Sequence, residues 1–345
     1  MKALRFYAPE DVRLEDVPEP TCAPDEVKMR VRNCSTCGTD VKIFYNGHQN
    51  LTPPRTIGHE IAGEIVEVGA DVNAIYGSNW QEGDRVQVIA AVPCGECHEC
   101  RKGWMAVCQN QTSMGYQYDG GFAEYVALSE YSLVKLPEGL DPVGAALLAC
   151  PMGVALQAVR ETAQVAPGET VVVTGAGGGL GVHAVQAAAA LGARVLAVSS
   201  SPEKENALRE LGAAEVLEIN GLDFAELVMA MTGDEGADVV IDTVGSALFP
   251  STLRSLAQYG RLVLLGEVLG QHISLNPAEI IFRDARLIGA SGVSRATVEQ
   301  AVLMALEGRL RTVVDLEMPL EQATDAYRLV SERRPTGRIV LLPNG

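Results

Sequence analysis

The spacing of apolar residues changes character part-way along the chain. Over about the first 150 residues the apolar positions fall in short alternating or continuous runs, at 27–31, 61–68, 85–89 and 122–126, broken by Gly and Pro. Runs of this kind predict strands joined by loops, and so a β-rich first domain. From about residue 153, apolar strands at 170–174, 194–199, 238–242, 261–265 and 286–288 alternate with Ala- and Leu-rich stretches such as 180–191 and 202–211. That alternation predicts a parallel sheet wrapped by helices. Two helical patterns follow, at 297–307 and 322–331, and then a closing strand at 337–342 expected to pair back into the first domain. The fold class is therefore α/β, with a β-rich domain built from 1–152 and 292–345 and a doubly wound domain from 153–291.

Two uncharged windows, 142–159 and 170–193, are interrupted by Gly144, Pro151 and Gly153 and by a run of glycines. Neither reads as a membrane span; both read as buried structure of a soluble protein. Of the 345 residues 47% are hydrophobic, enough for two cores, which excludes a disordered, collagen-like or disulfide-scaffold chain. Lys and Arg number 27 against 44 for Asp and Glu, a net charge of -17 that makes nucleic acid and anionic membranes unsuitable partners. The first ten residues carry Lys2, Arg5 and Glu10 without the apolar core of a signal peptide, so a cytoplasmic protein is expected.

Three constellations carry chemistry. The strand at 170–174 runs into Gly175, Gly177, Gly178, Gly179, Leu180 and Gly181 and then a helix. Glycines between a strand and a helix let backbone N–H groups approach a pyrophosphate, helped by the helix N-terminus. The spacing departs from G-x-G-x-x-G by one residue, and a tight packing turn is the alternative. At the tip of the next strand, where a carboxylate would take a ribose hydroxyl, stand Ser199, Ser200 and, further on, Lys204. Their chemistry suits a 2′-phosphate, which favours NADP over NAD.

Cys94, Cys97, Cys100 and Cys108 form the second constellation, C-x2-C-x2-C-x7-C in a loop without strand pattern. Four thiolates at this density suit a closed, structural tetrahedral zinc; an iron–sulfur cluster is the competing metal. Dispersed residues make up the third: Cys37-Gly-Thr39-Asp40, Gly58-His59-Glu60 and Cys150-Pro151. Alone, His59 reads as a loop histidine and Cys150 as core. Cys34 with Cys37 forms a C-x-x-C, but without the βαβ context of a redox pair.

Taken together and in order, Cys37-Gly-Thr-Asp40, Gly58-His-Glu-Ile-Ala-Gly63, the four-cysteine loop, Gly120-Gly-Phe-Ala-Glu-Tyr125 and the glycine cluster resemble the zinc-containing medium-chain alcohol dehydrogenase family. The resemblance implies a GroES-like catalytic domain and a Rossmann domain, with a second, catalytic zinc on Cys37, His59 and Cys150. It further implies Glu60 beside the metal, Asp40 supporting His59, and Thr39 touching the substrate oxygen at the head of a proton relay. Polyol-oxidising relatives often carry Glu where Cys150 stands. The next relay member is often a histidine where this chain has Lys42, and His48 is the nearby candidate to replace it. The implied activity is hydride transfer between an alcohol, or its aldehyde or ketone, and NAD(P), in a homodimer or homotetramer. For the oligomer, the apolar strand expected at 289–293 and the segment 262–268 offer indirect support.

Other readings remain in view. A short-chain dehydrogenase would explain Thr174-Gly-Ala-Gly-Gly-Gly-Leu-Gly181 and Tyr131-Ser-Leu-Val-Lys135, but in that family the tyrosine pair follows the glycines. A zinc-independent NADPH-dependent enone or quinone reductase of the same superfamily suits the glycine segment, yet has no use for Cys37, His59 and Cys150. A non-catalytic nucleotide-binding protein is the last alternative. The pocket walls are expected from 44–54, Trp104 and 116–119.

Overall fold

The protein, described here by a computed structural model, is defined over residues 1–72, 79–102, 107–219 and 223–344. Trp104 lies outside the described residues. The chain divides into two units, the first comprising Met1–Cys150, Val293–Leu306 and Val314–Gly345, the second Pro151–Gly292 and Glu307–Val313.

In the first unit a seven-stranded sheet runs in the order Leu133–Lys135, Arg85–Val88, Glu60–Val68, Glu26–Ser35, Arg338–Leu342, Val314–Pro319, with Tyr125–Ser129 also pairing with Glu26–Ser35. The closing strand does return to this domain: Val340 and Leu341 pair antiparallel with Ser35 and Cys34. Alternation along Glu26–Ser35 sends Val27, Met29 and Val31 into a core shared with Ile61, Ile65 and Phe122, all 1% exposed or less. The strand expected at 122–126 instead covers Tyr125–Ser129. Its predicted start is held as a turn, because Gly120, Gly121 and Phe122 donate backbone hydrogen bonds to Thr56, Gly58 and Ile57.

In the second unit six strands form an all-parallel sheet in the order Ala213–Glu218, Arg194–Ser199, Thr170–Thr174, Ala237–Asp242, Leu256–Leu264, Arg286–Gly289. This is the doubly wound order whose crevice lies beyond the strand C-termini, at the point where the winding reverses. Val171, Val172 and Val173 are fully buried on both faces, as a central parallel strand requires. The run expected to be strand at 289–293 ends at Gly289, and residues 290–294 are irregular. Residues 307–313, grouped by the sequence pattern with the first domain, pack in the second unit. Helix Gly181–Ala190 accounts for this, since Gln186 both donates to and accepts from the Arg311 backbone and His183 Nε2 accepts from Val313 N–H.

The uncharged window at 142–159 is a chain of short irregular helical turns, and among the described residues no helix is long and apolar enough to cross a membrane.

Candidate functional site

Strand Glu26–Ser35 hands the chain to helix Gly38–Asn46, and Cys37 stands at the helix N-cap. Asp40, fully buried in the first turn, accepts the Cys37 backbone N–H on Oδ2 at 2.8 Å. Its other oxygen lies 3.3 Å from His59 Nδ1. One carboxylate therefore closes the helix end and orients the imidazole, leaving Nε2 as the nitrogen free to bind a ligand.

His59 sits in a tight turn before strand Glu60–Val68. Gly58 has φ +94°, and a Cβ there would fall 2.7 Å from the Phe122 ring. Cys150 departs from its helical surroundings, with φ −119° and ψ 120°. Pro151 is the reason: a residue before proline is driven out of the α region, so the thiol leaves the helical path.

The potential ligand atoms of Cys37, His59, Glu60 and Cys150 lie within 4.8 Å of one another. The Cys37 thiol is held well below its ordinary pKa by the Cys150 thiol, Arg338 and His59, against its burial. Cys150, its partner in that contact, is raised. Burial lowers His59, but Asp40 and Cys37 carry it well above the usual imidazole value. A sulfur inclined to ionise, a second sulfur and an imidazole oriented by a carboxylate fit zinc with one position left open.

Glu60 is fully buried. Arg338 Nη2 donates to its Oε1 at 2.7 Å and Arg338 Nε to Oε2 at 3.2 Å, while the Ser35 hydroxyl also donates to Oε2. Burial pushes the Glu60 carboxyl up to about 7 against the pull of Arg338. Arg338 Nη2 also reaches Cys37 Sγ at 3.4 Å. Sequence reasoning missed Arg338, which stands at the head of the closing strand.

Thr39 is half-buried in the same first turn. Burial, together with the negative charge of Asp40, Cys37 and Cys150, pushes the Tyr116 phenol well above its ordinary pKa. The His48 ring packs edge-on against Tyr116 with centroids 4.7 Å apart, and its Nδ1 accepts Asn50 N–H at 3.2 Å. Lys42 is exposed on the same helix.

Cys94, Cys97, Cys100 and Cys108 converge, with sulfur separations of 4.0 Å (94–100), 3.8 Å (97–108) and 3.6 Å (94–108). Backbone N–H groups of Cys94 and Cys97 donate to Cys108 and Cys94 sulfurs, each at 3.3 Å. Backbone donors, that of Cys100 foremost, lower Cys97 to about 6. Four sulfurs this close, with N–H donors aimed at them, fit a closed tetrahedral zinc. Cys34 is buried in the core with its thiol raised by desolvation, and belongs to neither group.

In the second unit the chain turns after Thr174 through Gly175, at φ +58°, into helix Gly181–Ala190. A Cβ on Gly181 would lie 2.2 Å from the Gly175 carbonyl, so the helix approaches the strand end only without a side chain. The buried Lys204 folds back so that its Nζ donates to the Gly177 carbonyl at 3.4 Å. Ser199 Oγ accepts Ser201 N–H at 3.1 Å, and Ser200 is exposed. No carboxylate stands at the tip of this strand.

Comparison with known proteins agrees with these two units. An alcohol dehydrogenase GroES-like domain matches residues 23–138, and a zinc-binding dehydrogenase domain matches 179–307. An acryloyl-coenzyme A reductase of Sulfurisphaera tokodaii is 32% identical over 99% of this chain and 100% of its own. An alcohol dehydrogenase of Geobacillus stearothermophilus is 32% identical over 96% of each chain. Among solved structures, the crystal structure of AibC superposes with a TM-score of 0.92 at 36% identity, over 100% of this chain and 96% of that one. The chain belongs to the zinc-type medium-chain dehydrogenase/reductase family, with a GroES-like and a Rossmann domain.

Proposed function

We propose that this protein is an NAD(P)-dependent, two-zinc oxidoreductase that reduces the carbon–carbon double bond of a small 2-enoyl thioester, a substrate of the acryloyl-coenzyme A kind. The observation that carries this reading is the acryloyl-coenzyme A reductase of 32% identity that aligns with 99% of this chain, beside a convergent set of Cys37, His59 and Cys150. Oxidation of an alcohol must pass a proton outward, and a lysine ammonium at position 42 has no lone pair with which to receive it. The acryloyl-coenzyme A reductase aligned over the full chain supports the same substrate class.

When bound, zinc would supply a Lewis acid for the substrate carbonyl oxygen, and the dinucleotide a hydride. Cys37, His59 and Cys150 are the ligands, Asp40 holds the imidazole in its metal-binding tautomer, and Glu60 with Arg338 adjusts the charge around Cys37. Cys94, Cys97, Cys100 and Cys108 take the structural zinc. Gly175, Gly177, Gly178, Gly179, Leu180 and Gly181 receive the pyrophosphate on backbone N–H groups. Ser199, Ser200 and Lys204 favour NADP.

A second reading, reversible alcohol oxidation, is favoured by the complete two-cysteine, one-histidine set without a glutamate at 150. A substrate comparison separates the two: consumption of reduced nicotinamide with acryloyl- and crotonyl-thioesters, against its formation with primary, secondary and polyol alcohols. The proposal expects turnover of the thioesters; turnover of alcohols alone would replace it by the second reading.

The working form is a homodimer or homotetramer. Ile281 and Phe282 are 65% and 80% exposed, and Val268 and Leu269 are also exposed, in a unit whose outer strand Arg286–Gly289 has an unpaired edge. Such a surface suits a second copy of the chain.

A further inference from the structure

The three proposed zinc ligands are held in different ways. Cys37 stands at a helix N-cap and His59 in a turn that leads into the sheet, whereas Cys150 lies in the second of two short helical turns, Gly144–Leu147 and Leu148–Gly153. Ala145, Ala146, Leu147, Leu148 and Ala149 are buried ahead of it, but three of these five offer packing no more than a methyl group. Methyl groups interlock little and let a segment slide, while metal–sulfur distances tolerate only about 0.2 Å of misplacement. Something directional has to set the register of this segment.

Two buried amides supply it. Asn33 pairs with Ala62 and Ala62 with Gln87, so the three stand in one row across strands Glu26–Ser35, Glu60–Val68 and Arg85–Val88. The adjoining positions Cys34, Ile61 and Val88 belong to the core, so this row faces the other side of the sheet. Asn33 Nδ2 donates to the Pro142 carbonyl at 2.6 Å and Gln87 Nε2 to the Ala146 carbonyl at 3.3 Å. The turn Gly144–Leu147, packed against the same three strands, is thus gripped at two carbonyls four residues apart. Asp141 closes its start by accepting Val143 and Gly144 N–H.

A backbone carbonyl only accepts, so each amide has to turn its NH2 toward the segment. That leaves Asn33 Oδ1 and Gln87 Oε1 buried without a partner. A half-satisfied amide in the interior costs free energy that an aliphatic side chain of similar size does not, so what the amides add is direction. We propose that Asn33 and Gln87 are positioning residues that set the reach of Cys150 into the ligand set. They fix Pro142 and Ala146 on the sheet face, and the four residues from Ala146 to Cys150 are too short a link to absorb a shift. The inference rests on the reading of Cys150 as a zinc ligand.

Asn33→Leu and Gln87→Met keep approximate size and remove the donor. Each should weaken zinc binding at the Cys37–His59–Cys150 site about 10-fold in chelator competition, and leave any metal held by the Cys94 group as tightly bound as in the parent. With cobalt in place of the exchangeable zinc, the thiolate-to-cobalt charge-transfer absorption should shift in both variants, a change that lower stability alone does not produce. Because the amides act through Cys150, the same substitutions made in Cys150→Ala protein should change zinc affinity by less than about twofold.

Folded variants with parental zinc affinity and cobalt absorption overturn the proposal, and so does an undiminished loss of affinity on the Cys150→Ala background. If Cys150→Ala alone leaves zinc affinity at the parental value, the ligand reading falls and the proposal falls with it. Asn33→Ser and Gln87→Ala, which cannot overfill the site, take over where a larger variant does not fold. Failure of all four to fold assigns the amides to stability and also overturns the proposal.

Discussion

Asp40 performs two tasks with two oxygens, and substitution separates them. In Asp40→Asn the side chain keeps one oxygen and gains an amide NH2. If the oxygen continues to accept Cys37 N–H, now at 2.8 Å, the NH2 is turned toward His59 Nδ1. A donor there forces the imidazole to accept on Nδ1 and carry its proton on Nε2, the tautomer that cannot bind metal. Loss of such a supporting contact costs about 10–100-fold in metal affinity, or about 1.4–2.7 kcal/mol, and a wrong tautomer belongs at the upper end. Asp40→Ala leaves His59 free to choose its tautomer, so its affinity loss should be the smaller. It also removes the acceptor of the Cys37 N–H in a fully buried position, costing about 1 kcal/mol or more of stability. The expected order is therefore opposite for the two properties: Asn weaker for metal, Ala weaker for folding. Chelator competition on protein loaded with zinc, with release followed by a metallochromic indicator, measures the first; any metal held by the proposed Cys94 site serves as internal reference. Thermal melting measures the second. An Asn variant that holds its exchangeable metal as tightly as the parent, or more tightly than Ala does, would refute the tautomer argument.

The two metals should also differ from each other: Cys97→Ser should release the closed-site metal and destabilise its loop, and elemental analysis of the parent finding fewer than two zinc ions per chain would contradict both assignments. Ser199→Asp should shift preference toward NAD, because a carboxylate at this buried strand tip repels a 2′-phosphate and accepts from a 2′-hydroxyl; paired NAD and NADP kinetics test it, and a parent already strongly selective for NAD would refute the premise. Phe282→Asp, placed on an 80% exposed ring, should lower the particle mass seen by light scattering, and a parent already at 36.6 kDa would remove the case for an oligomer.

What could be read from the sequence was what depends on local spacing. Four cysteines in fifteen residues, glycines between a strand and a helix, and a run of valines with no polar interruption each have few physical explanations, and all took the expected form. Boundaries failed where long-range hydrogen bonds decide them, as at Phe122, whose N–H goes to Ile57 rather than along a strand. The segment 307–313 changed unit for a similar reason, being held by Gln186 and His183 from more than a hundred residues away. The resemblance supplied Asp40 and Glu60 but could not supply their partners. Arg338 is 278 positions from Glu60 and becomes its counter-ion only because Val340 pairs with Ser35. The turn that carries Tyr116 reaches the His59 turn only because Gly115 lies against Gly58.

These two residues have a common logic. The proposed metal ligands must approach within a few ångströms, and each stands at the end of an element: a helix N-cap, a turn before a strand, a kink before a proline. Element ends are where backbone groups are unsatisfied and where the chain turns sharply, so other turns and strand ends have to pack there. The side chains those neighbouring turns carry then become the counter-charge and the lining of the site. Sharp local punctuation therefore marks where such a site lies, and the residues that tune it are supplied by whichever distant turn the sheet topology brings against it.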